Sequence, residues 1–202
     1  CIDAVNALVA DAAMLSQAAV EGKLATRADA SKHQGDFRKI VAGVNDTLDA
    51  VIGPLNVAAE YIDRISNGDI PARITDNYNG DFNEIKNNLN KCIDALSGLI
   101  NDMNHMSKEH DAGDIDVVMD AAKFEGAYKE MASGVNNMVN GHIAVKKKAM
   151  ACIAEFGKGN FEAPLERFPG KEAFINENIE EVRARLKALI ADAVMLAQAA
   201  VD

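Results

Sequence analysis

Several residue types are scarce in this sequence of 202 residues, and each shortage argues against a class of protein. Tryptophan is absent and aromatic residues make up only 5%, while alanine, leucine and valine dominate, which suits helices whose cores take small side chains. The three cysteines, Cys1, Cys92 and Cys152, lie far apart without a C-x-x-C spacing, so neither a disulfide framework nor a zinc knuckle is indicated. This cysteine usage indicates a reducing compartment.

Basic charge and long apolar runs are also missing. The net charge of −10 argues against binding to nucleic acid or to an anionic membrane. There is no run of about 18 apolar residues and no signal-peptide pattern, so we expect no direct contact between these residues and a membrane.

Catalytic and metal-binding patterns are absent as well. The sequence has no phosphate loop, catalytic triad or paired-acid site, and its four histidines lack metal-ligand spacing. We therefore predict that the chain is not an enzyme and holds no metal or cofactor. His110 approaches a helix-ending glycine and is interpreted as a surface residue. His142 falls on a predicted core series, where a polar residue would specify register, respond to pH or reach solvent.

What the sequence does contain is a repeat of about 45 residues. Residues 8–21, LVADAAMLSQAAVE, return as residues 189–202, LIADAVMLAQAAVD. A first mark, a glycine expected to end a helix in left-handed conformation, recurs at steps of 46, 45 and 46 residues as Gly22, Gly68, Gly113 and Gly159. A second mark, expected to start a helix, follows as Gly-Asp36-Phe37, Gly-Asp81-Phe82, Gly-Ala-Tyr128 and, more weakly, Gly170-Lys171-Glu172. Such periods are typical of stacked units.

Each repeat is predicted to be a helix, a break and a second helix. From Phe82 onward, apolar residues alternate at steps of three and four, which is the spacing of a coiled-coil seam. The predicted dimer core within it comprises Ile85, Leu89, Cys92, Leu96, Leu99 and Met103. Because the seam crosses the repeat boundary unbroken, the second helix of one repeat is expected to continue into the next repeat. At the first boundary a stutter precedes Gly53-Pro54, where we expect a bend or a phase change.

The breaks are predicted to be extended connectors. About a dozen residues at roughly 3.3 Å each cover about 40 Å, more than a helix of about 16 residues, so the two helices of a repeat can run parallel. Each connector carries an apolar pair, two and six residues after its glycine, that is expected to anchor it on the bundle. The anchor pairs are Leu24 and Ala28, Ile70 and Ile74, Ile115 and Met119, and Phe161 and Leu165.

These residues resemble the HAMP domain of bacterial chemoreceptors and sensor kinases. That family has a proline near the start of its first helix, a glycine that ends it, two connector anchors, an acidic mark and a Phe-Asn pair in the second helix. Here Pro54 precedes Gly68 by 14 residues, and Asp36 and Asp81 occupy the acidic position. Val44-Asn45, Leu89-Asn90 and Val135-Asn136 match the Phe-Asn pair.

The resemblance divides the chain into four repeats and part of a fifth. Their predicted bounds are 1–50, 51–97, 98–143, 144–188 and, for the first helix of the fifth, 189–202. The third and fourth repeats depart most from the family pattern. In place of the proline stand Leu8, Leu99 and Val145, in place of the acid Ala127 and Lys171, and in place of the asparagine Glu180.

A single chain of this kind leaves apolar helix stripes uncovered, at roughly 1.5 to 3 kcal/mol for each exposed Leu or Ile. We therefore predict an all-α fold of stacked parallel four-helix coiled-coil bundles formed by a homodimer, the state that the HAMP resemblance also implies. The resemblance further implies signal relay in a chemoreceptor, from a cytoplasmic segment of a larger membrane-anchored receptor to a downstream signalling domain in the same chain. The alternatives are a relay segment of a sensor histidine kinase, a passive spacer and a helical module that binds a small molecule.

Overall fold

Helices and connectors make up the whole of the chain that the computed structural model describes, residues 2–200. Its α-helices are α1 Ile2–Val20, α2 Gly35–Ser66, α3 Gly80–Asp111, α4 Gly126–Gly157 and α5 Ala173–Ala199. No strand occurs in this described range. The predicted all-α class is therefore confirmed. Cys1 and the last two residues of the predicted fifth repeat lie outside the described residues.

The three central helices are long because each joins two repeats. α2, α3 and α4 have 32 residues each, which corresponds to about 48 Å of helix. Each contains the apolar seam that crosses a predicted repeat boundary. Pro54 lies inside α2 without ending it, although proline removes one backbone hydrogen bond from the helix.

The chain divides into two compact units, Cys1–Gly98 and Leu99–Asp202. The first unit buries small and medium apolar side chains, including Ala28, Val41, Ile52 and Ile74. The second unit contains two apolar clusters. One consists of Leu99, Met106, Met119, Phe124 and Ala132; the other consists of Ala149, Cys152, Phe156, Ala163 and Ile179.

The helices that precede the connectors end in one recurring hydrogen-bond pattern. At the end of α2, the Gly68 amide donates to the Ile65 carbonyl at 3.0 Å and the Asp69 amide donates to the Arg64 carbonyl at 2.9 Å. Gly68 has a φ of +80°, a left-handed conformation that costs any residue with a Cβ. Gly22, Gly113 and Gly159 have φ values of +72°, +97° and +84°.

The glycine of each second mark also adopts a left-handed conformation, which was not predicted from the sequence. Gly35, Gly80, Gly126 and Gly170 have φ values between +53° and +57°, just where the connector turns into the next helix. The connectors differ from the fully extended prediction in one respect, since three contain a short 3₁₀ turn, at Ala30–Lys32, Ala121–Lys123 and Gly170–Glu172. Asp29 and Asp120 cap the first two turns by accepting from the amides of Ser31 and Ala122.

Candidate functional site: the connector contacts and the apolar helix stripes

An asparagine on the second helix holds the connector in each of the first three repeats. Asn90 accepts a hydrogen bond from the Ile74 amide at 2.7 Å and donates one to the Ile74 carbonyl at 3.0 Å. Both polar groups of one extended residue are thus paired by a single side chain that is itself only 5% exposed. We call this pair of hydrogen bonds the asparagine clamp.

The clamp recurs with the same atoms in the flanking repeats. Asn45 accepts from the Ala28 amide at 3.1 Å and donates to the Ala28 carbonyl at 2.8 Å. Asn136 accepts from the Met119 amide at 3.0 Å and donates to the Met119 carbonyl at 2.7 Å. The clamped residue is in each case the second predicted anchor, and all three anchors are buried. An extended backbone has no internal partners, so these side chains supply what a neighbouring strand would otherwise provide.

The fourth repeat holds its connector by other residues. Glu180, at the asparagine position, instead pairs with Arg183, and Asn176, one turn earlier, accepts from the Phe168 amide at 2.8 Å and donates to the Glu166 carbonyl at 2.7 Å. Arg183 donates to the Phe161 carbonyl at 3.0 Å. Asn176 thus pairs the backbone groups of two connector residues, and Arg183 adds a third hydrogen bond to the connector.

Arg183, which lies on α5, also contacts α4, the helix before the connector. Its guanidinium carbon lies 5.1 Å from the centre of the Phe156 ring, and its Nη2 lies 3.6 Å from the Cys152 sulfur. The Phe156 and Phe161 rings are 5.8 Å apart. The guanidinium therefore lies over an aromatic face among buried apolar side chains, an arrangement that arginine favours.

The predicted anchor pairs are buried unevenly. The second anchors Ala28, Ile74 and Met119 are 5%, 6% and 3% exposed, whereas the first anchors Leu24 and Ile115 remain about two-fifths exposed in the single chain. In the fourth repeat Phe161 and Leu165 are half-buried, and the fully buried connector residues are Ala163 and Phe168.

The ion pairs between connector and second helix exchange their charges along the chain. In the first two repeats a connector arginine pairs with a helix aspartate, as Arg27 with Asp49 at 2.6 Å and Arg73 with Asp94 at 3.3 Å. In the last two repeats a connector acid pairs with a helix lysine, as Asp116 with Lys147 and Glu162 with Lys187. The lysine hydrogen bonds hold the pKa values of Asp116 and Glu162 below their ordinary range.

Two histidines make contacts between a connector and a helix. His110 is half-buried, and its Nε2 donates to the Val117 carbonyl at 2.8 Å, so the interpretation of a plain surface residue is corrected. His33 is buried, and its Nε2 lies 2.6 Å from a carboxylate oxygen of Asp11 on α1. The side chain of His142 is 66% exposed and lies 3.5 Å from Glu172.

The helices also carry rows of large apolar side chains that stay about two-fifths to three-fifths exposed in the single chain. Along α2 the exposed members follow the predicted seam spacing: Ile40, Val44, Val51, Leu55 and Ile62. On α3, Ile85 and Met103 of the predicted dimer core are also exposed, Leu89, Cys92 and Leu96 are half-buried, and Leu99 is buried. We call these rows the apolar stripes.

The remaining predicted positions lie where helices begin or repeats join. Asp36 and Asp81 are in the first turns of α2 and α3, Phe37, Phe82 and Tyr128 are half-buried in the first turns of α2, α3 and α4, and Gly53 and Pro54 lie in mid-helix. Among residues 2–200, no three histidine, cysteine or acidic groups converge as metal ligands. No described helix is long and apolar enough to cross a membrane.

Comparison with known proteins agrees with this arrangement of helices and connectors. Residues 32–98 match the HAMP domain family, and residues 145–187 match the family described as HAMP N-terminal domain 3. Together the two stretches cover more than half of the chain. Over 96 residues, or 47% of its length, the chain is 46% identical to the methyl-accepting chemotaxis protein McpB of Pseudomonas aeruginosa. That match covers 14% of the relative, so the chain corresponds to a small part of it.

Proposed function

Since the chain belongs to the HAMP family and carries its domains in tandem, we propose that it relays a conformational signal within a bacterial chemoreceptor. In this proposal two copies associate in parallel, and each repeat forms a four-helix bundle from two helices of each copy. A signal that enters at one bundle is passed through the continuous helices to the next bundle and finally to a signalling domain downstream in the same chain. The segment lies in the cytoplasm, below a membrane anchor.

The observation that carries the dimer is the apolar stripe on α2. Its exposed side chains recur at steps of four and seven residues, which are the steps between positions of a coiled-coil seam. Leu55 and Ile62 are 42% and 58% exposed, far more than residues of this type in the core of a soluble protein. A second copy in parallel register places the same row opposite, and the two rows cover each other.

The asparagine clamps support a relay over a loose association of helices. Each clamp ties the connector backbone to the second helix, and each buried second anchor ties it to the apolar core. A displacement of one helix is then transmitted to the connector as well as to the partner helices. Packed seams of this kind are bistable because alternative rotations bury similar apolar area, which gives the relay two states.

The relative supports a chemoreceptor, since its printed name is that of a methyl-accepting chemotaxis protein. A sensor histidine kinase is the second candidate, because the HAMP family also occurs in such kinases. A passive spacer would keep connectors of one kind throughout. The change from clamp to Asn176 and Arg183 in the fourth repeat instead favours repeats with different packing energies.

The dimer is tested by sedimentation equilibrium on the chain. We expect a mass of about twice 21.6 kDa. The dimer should dissociate on dilution, with an affinity that depends on the apolar side chains buried between the two copies. Replacing Val51 with Glu, on the stripe, should shift the chain toward monomer, while replacing the exposed Ala50 with Glu should not. A monomer of 21.6 kDa at high concentration would contradict the parallel dimer.

The relay itself is tested in the full-length receptor. Cysteines introduced singly along the α2 stripe, in a background without native cysteines, form disulfides that fix the helices in different rotational phases. We expect the receptor's output to change with the phase that is locked. An output that stays constant through all locked phases would support the spacer and contradict the relay.

A further inference from the structure

The first repeat contains a buried polar contact that its neighbour lacks. His33 stands two residues before Gly35, and the equivalent residues in the later repeats are Tyr78, Phe124 and Phe168. Its partner Asp11 lies on α1, eleven residues before Gly22, and the equivalent residue in the second repeat is Val57. A histidine and an aspartate thus replace an aromatic and an aliphatic side chain at the point where the connector meets the first helix.

The contact is close and shielded from water. The Nε2 of His33 lies 2.6 Å from the Oδ2 of Asp11, and the side chains are 2% and 24% exposed. A carboxylate accepts only, so Nε2 carries the hydrogen in this contact. The ionised carboxylate already makes this hydrogen bond charge-assisted. When the imidazole is also protonated at Nδ1, the contact becomes an ion pair, and the attraction between the two opposite charges adds to the hydrogen bond in a site shielded from water.

We propose that the His33–Asp11 contact makes the seating of the first connector depend on pH, so that this connector is held more tightly at acidic than at alkaline pH. The second connector carries Tyr78 and Val57 instead and keeps its seating across the same range. The inference concerns the packing of one connector and holds whether or not the chain relays a signal.

Two other charged pairs lie close to His33 in the sequence. On the connector, Asp29 caps the 3₁₀ turn and lies 3.9 Å from Lys32, and the hydrogen bonds from Ser31 hold the pKa of Asp29 below its ordinary value. Protonation of His33 lowers the Asp29 pKa further, but more weakly than Ser31 does. At the start of α2, Asp36 pairs with Lys39 at 2.9 Å, and Arg38 lies between them in sequence. Asp11 is the acidic group in hydrogen-bonding contact with the ring.

The asparagine clamps provide a matched pair of reporters within one molecule. The Ala28 amide donates to Asn45 in the first connector, and the Ile74 amide donates to Asn90 in the second. Both amides belong to the same compact unit, so the ratio of their hydrogen-exchange protection cancels effects of pH on that unit as a whole. We expect the protection of Ala28 relative to Ile74 to fall about fivefold between about pH 5.5 and pH 8.5 in the unmodified chain.

Two variants separate the contact from general effects of pH. His33→Tyr installs the residue of the second repeat and should make the protection ratio independent of pH. Asp11→Asn keeps the shape of the carboxylate without its charge, so that a protonated His33 would be buried without an opposite charge; the tighter seating at acidic pH should then disappear or reverse. As a control, His105→Gln removes a histidine whose side chain is 64% exposed and should keep the pH dependence of the unmodified chain. A flat ratio in the unmodified chain, or an equal pH dependence after His33→Tyr, would overturn the proposal.

A second measurement needs no variant at this position. Nuclear magnetic resonance of the unmodified chain follows the His33 ring and the Ala28 amide in one titration. We expect the Ala28 signal to move with the same midpoint as the His33 ring. A His33 ring that titrates while the Ala28 signal stays still would contradict the proposal.

Discussion

The second and fourth repeats hold the same kind of connector with different side chains. In the second repeat, Asn90 alone pairs both backbone groups of Ile74. In the fourth, Asn176 pairs the Phe168 amide and the Glu166 carbonyl, while Arg183 pairs the Phe161 carbonyl. In both repeats, side chains of the second helix form hydrogen bonds with backbone groups of the connector. What the repeats share is thus a requirement for hydrogen bonds, and not a residue at one position.

The difference also sets how much each repeat depends on a single residue. The clamp of the second repeat concentrates two buried hydrogen bonds in one side chain, whereas the fourth repeat distributes three bonds over two side chains. The second repeat should therefore be more sensitive to one substitution. In the fourth repeat, each single substitution should weaken the attachment of the connector by a smaller amount.

The largest expected effect is the loss of the clamp. Asn90→Ala leaves the buried amide and carbonyl of Ile74 without partners, and we expect the free energy of unfolding to fall by about 2 to 4 kcal/mol. Urea unfolding of the first compact unit measures the change. Asn88→Ala, at an exposed position two residues earlier on α3, is the matched control and should change stability by less than about 0.5 kcal/mol. Equal effects of the two variants would mean that the clamp contributes nothing.

A smaller effect is expected for the fourth repeat. Arg183→Met keeps an extended apolar side chain but loses the hydrogen bond to Phe161 and the contact with the Phe156 ring, which should cost about 1 to 3 kcal/mol. Because the side chain of Arg185 is 80% exposed, Arg185→Met should be close to neutral. The Cys152 thiol, which is 4% exposed and lies next to Arg183, gives an independent readout. Its reaction with a thiol reagent should accelerate in Arg183→Met and not in Arg185→Met; unchanged reactivity and stability would refute the role assigned to Arg183.

The second and fourth repeats should respond alike when the glycine that follows their first helix is replaced, because this glycine has the same conformation in both. Gly68 and Gly159 have φ values of +80° and +84°, so Gly68→Ala and Gly159→Ala should each cost about 1 to 2 kcal/mol through backbone strain. Gly43, which lies in the middle of α2 with open space around its Cα, is the control, because alanine is the better helix former there. Thermal unfolding distinguishes the cases. A neutral Gly68→Ala together with a costly Gly159→Ala would show that the helix ends also differ.

The smallest effect concerns the charges at the same two helix ends. The hydrogen bond from Arg64 holds the pKa of Asp69 below its ordinary value, and bonds from Lys158 and Asn160 do the same for Glu155. A lowered carboxyl pKa stabilises the folded state above the unfolded pKa, and this contribution is lost as the pH falls through the folded value. Both helix ends should therefore fray below about pH 4, slightly because these groups are exposed. Arg64→Gln should remove the pH dependence of fraying at the Asp69 end alone, which hydrogen exchange at residues 64–69 measures. A pH dependence that persists there in Arg64→Gln would contradict the role assigned to this pair.

The sequence predicted the helices well because their signals are local. Heptad spacing and the recurring glycines indicate where long helices run and stop, and the all-α class and the HAMP resemblance are both confirmed. The hydrogen-bond partners were not predictable in the same way. Asn45, Asn90 and Asn136 matched a family position, but their partners lie 16 or 17 residues away on a connector whose path the sequence does not give.

The missed features have the same cause. His33, on the first connector, contacts Asp11, which lies 22 residues earlier on α1, and no spacing rule links the two. In the fourth repeat, Asn176 and Arg183 hold the connector from other positions on α5 than the clamp asparagine would occupy. An alignment of the repeats therefore shows only that glutamate replaces asparagine at position 180. An internal signal did exist, since His33 replaces the aromatic residue found two residues before the second glycine in the other repeats.

Cysteine cross-linking shows directly whether a second copy in parallel register covers the apolar stripes. With Cys1, Cys92 and Cys152 replaced by alanine, a single cysteine at Val44 faces its own equivalent across a parallel dimer, whereas one at Asp46 points away from it. We expect Val44→Cys to form a disulfide-linked dimer readily under mild oxidation and Asp46→Cys not to form one. Equal linkage at both positions, or none at Val44, would contradict the parallel dimer.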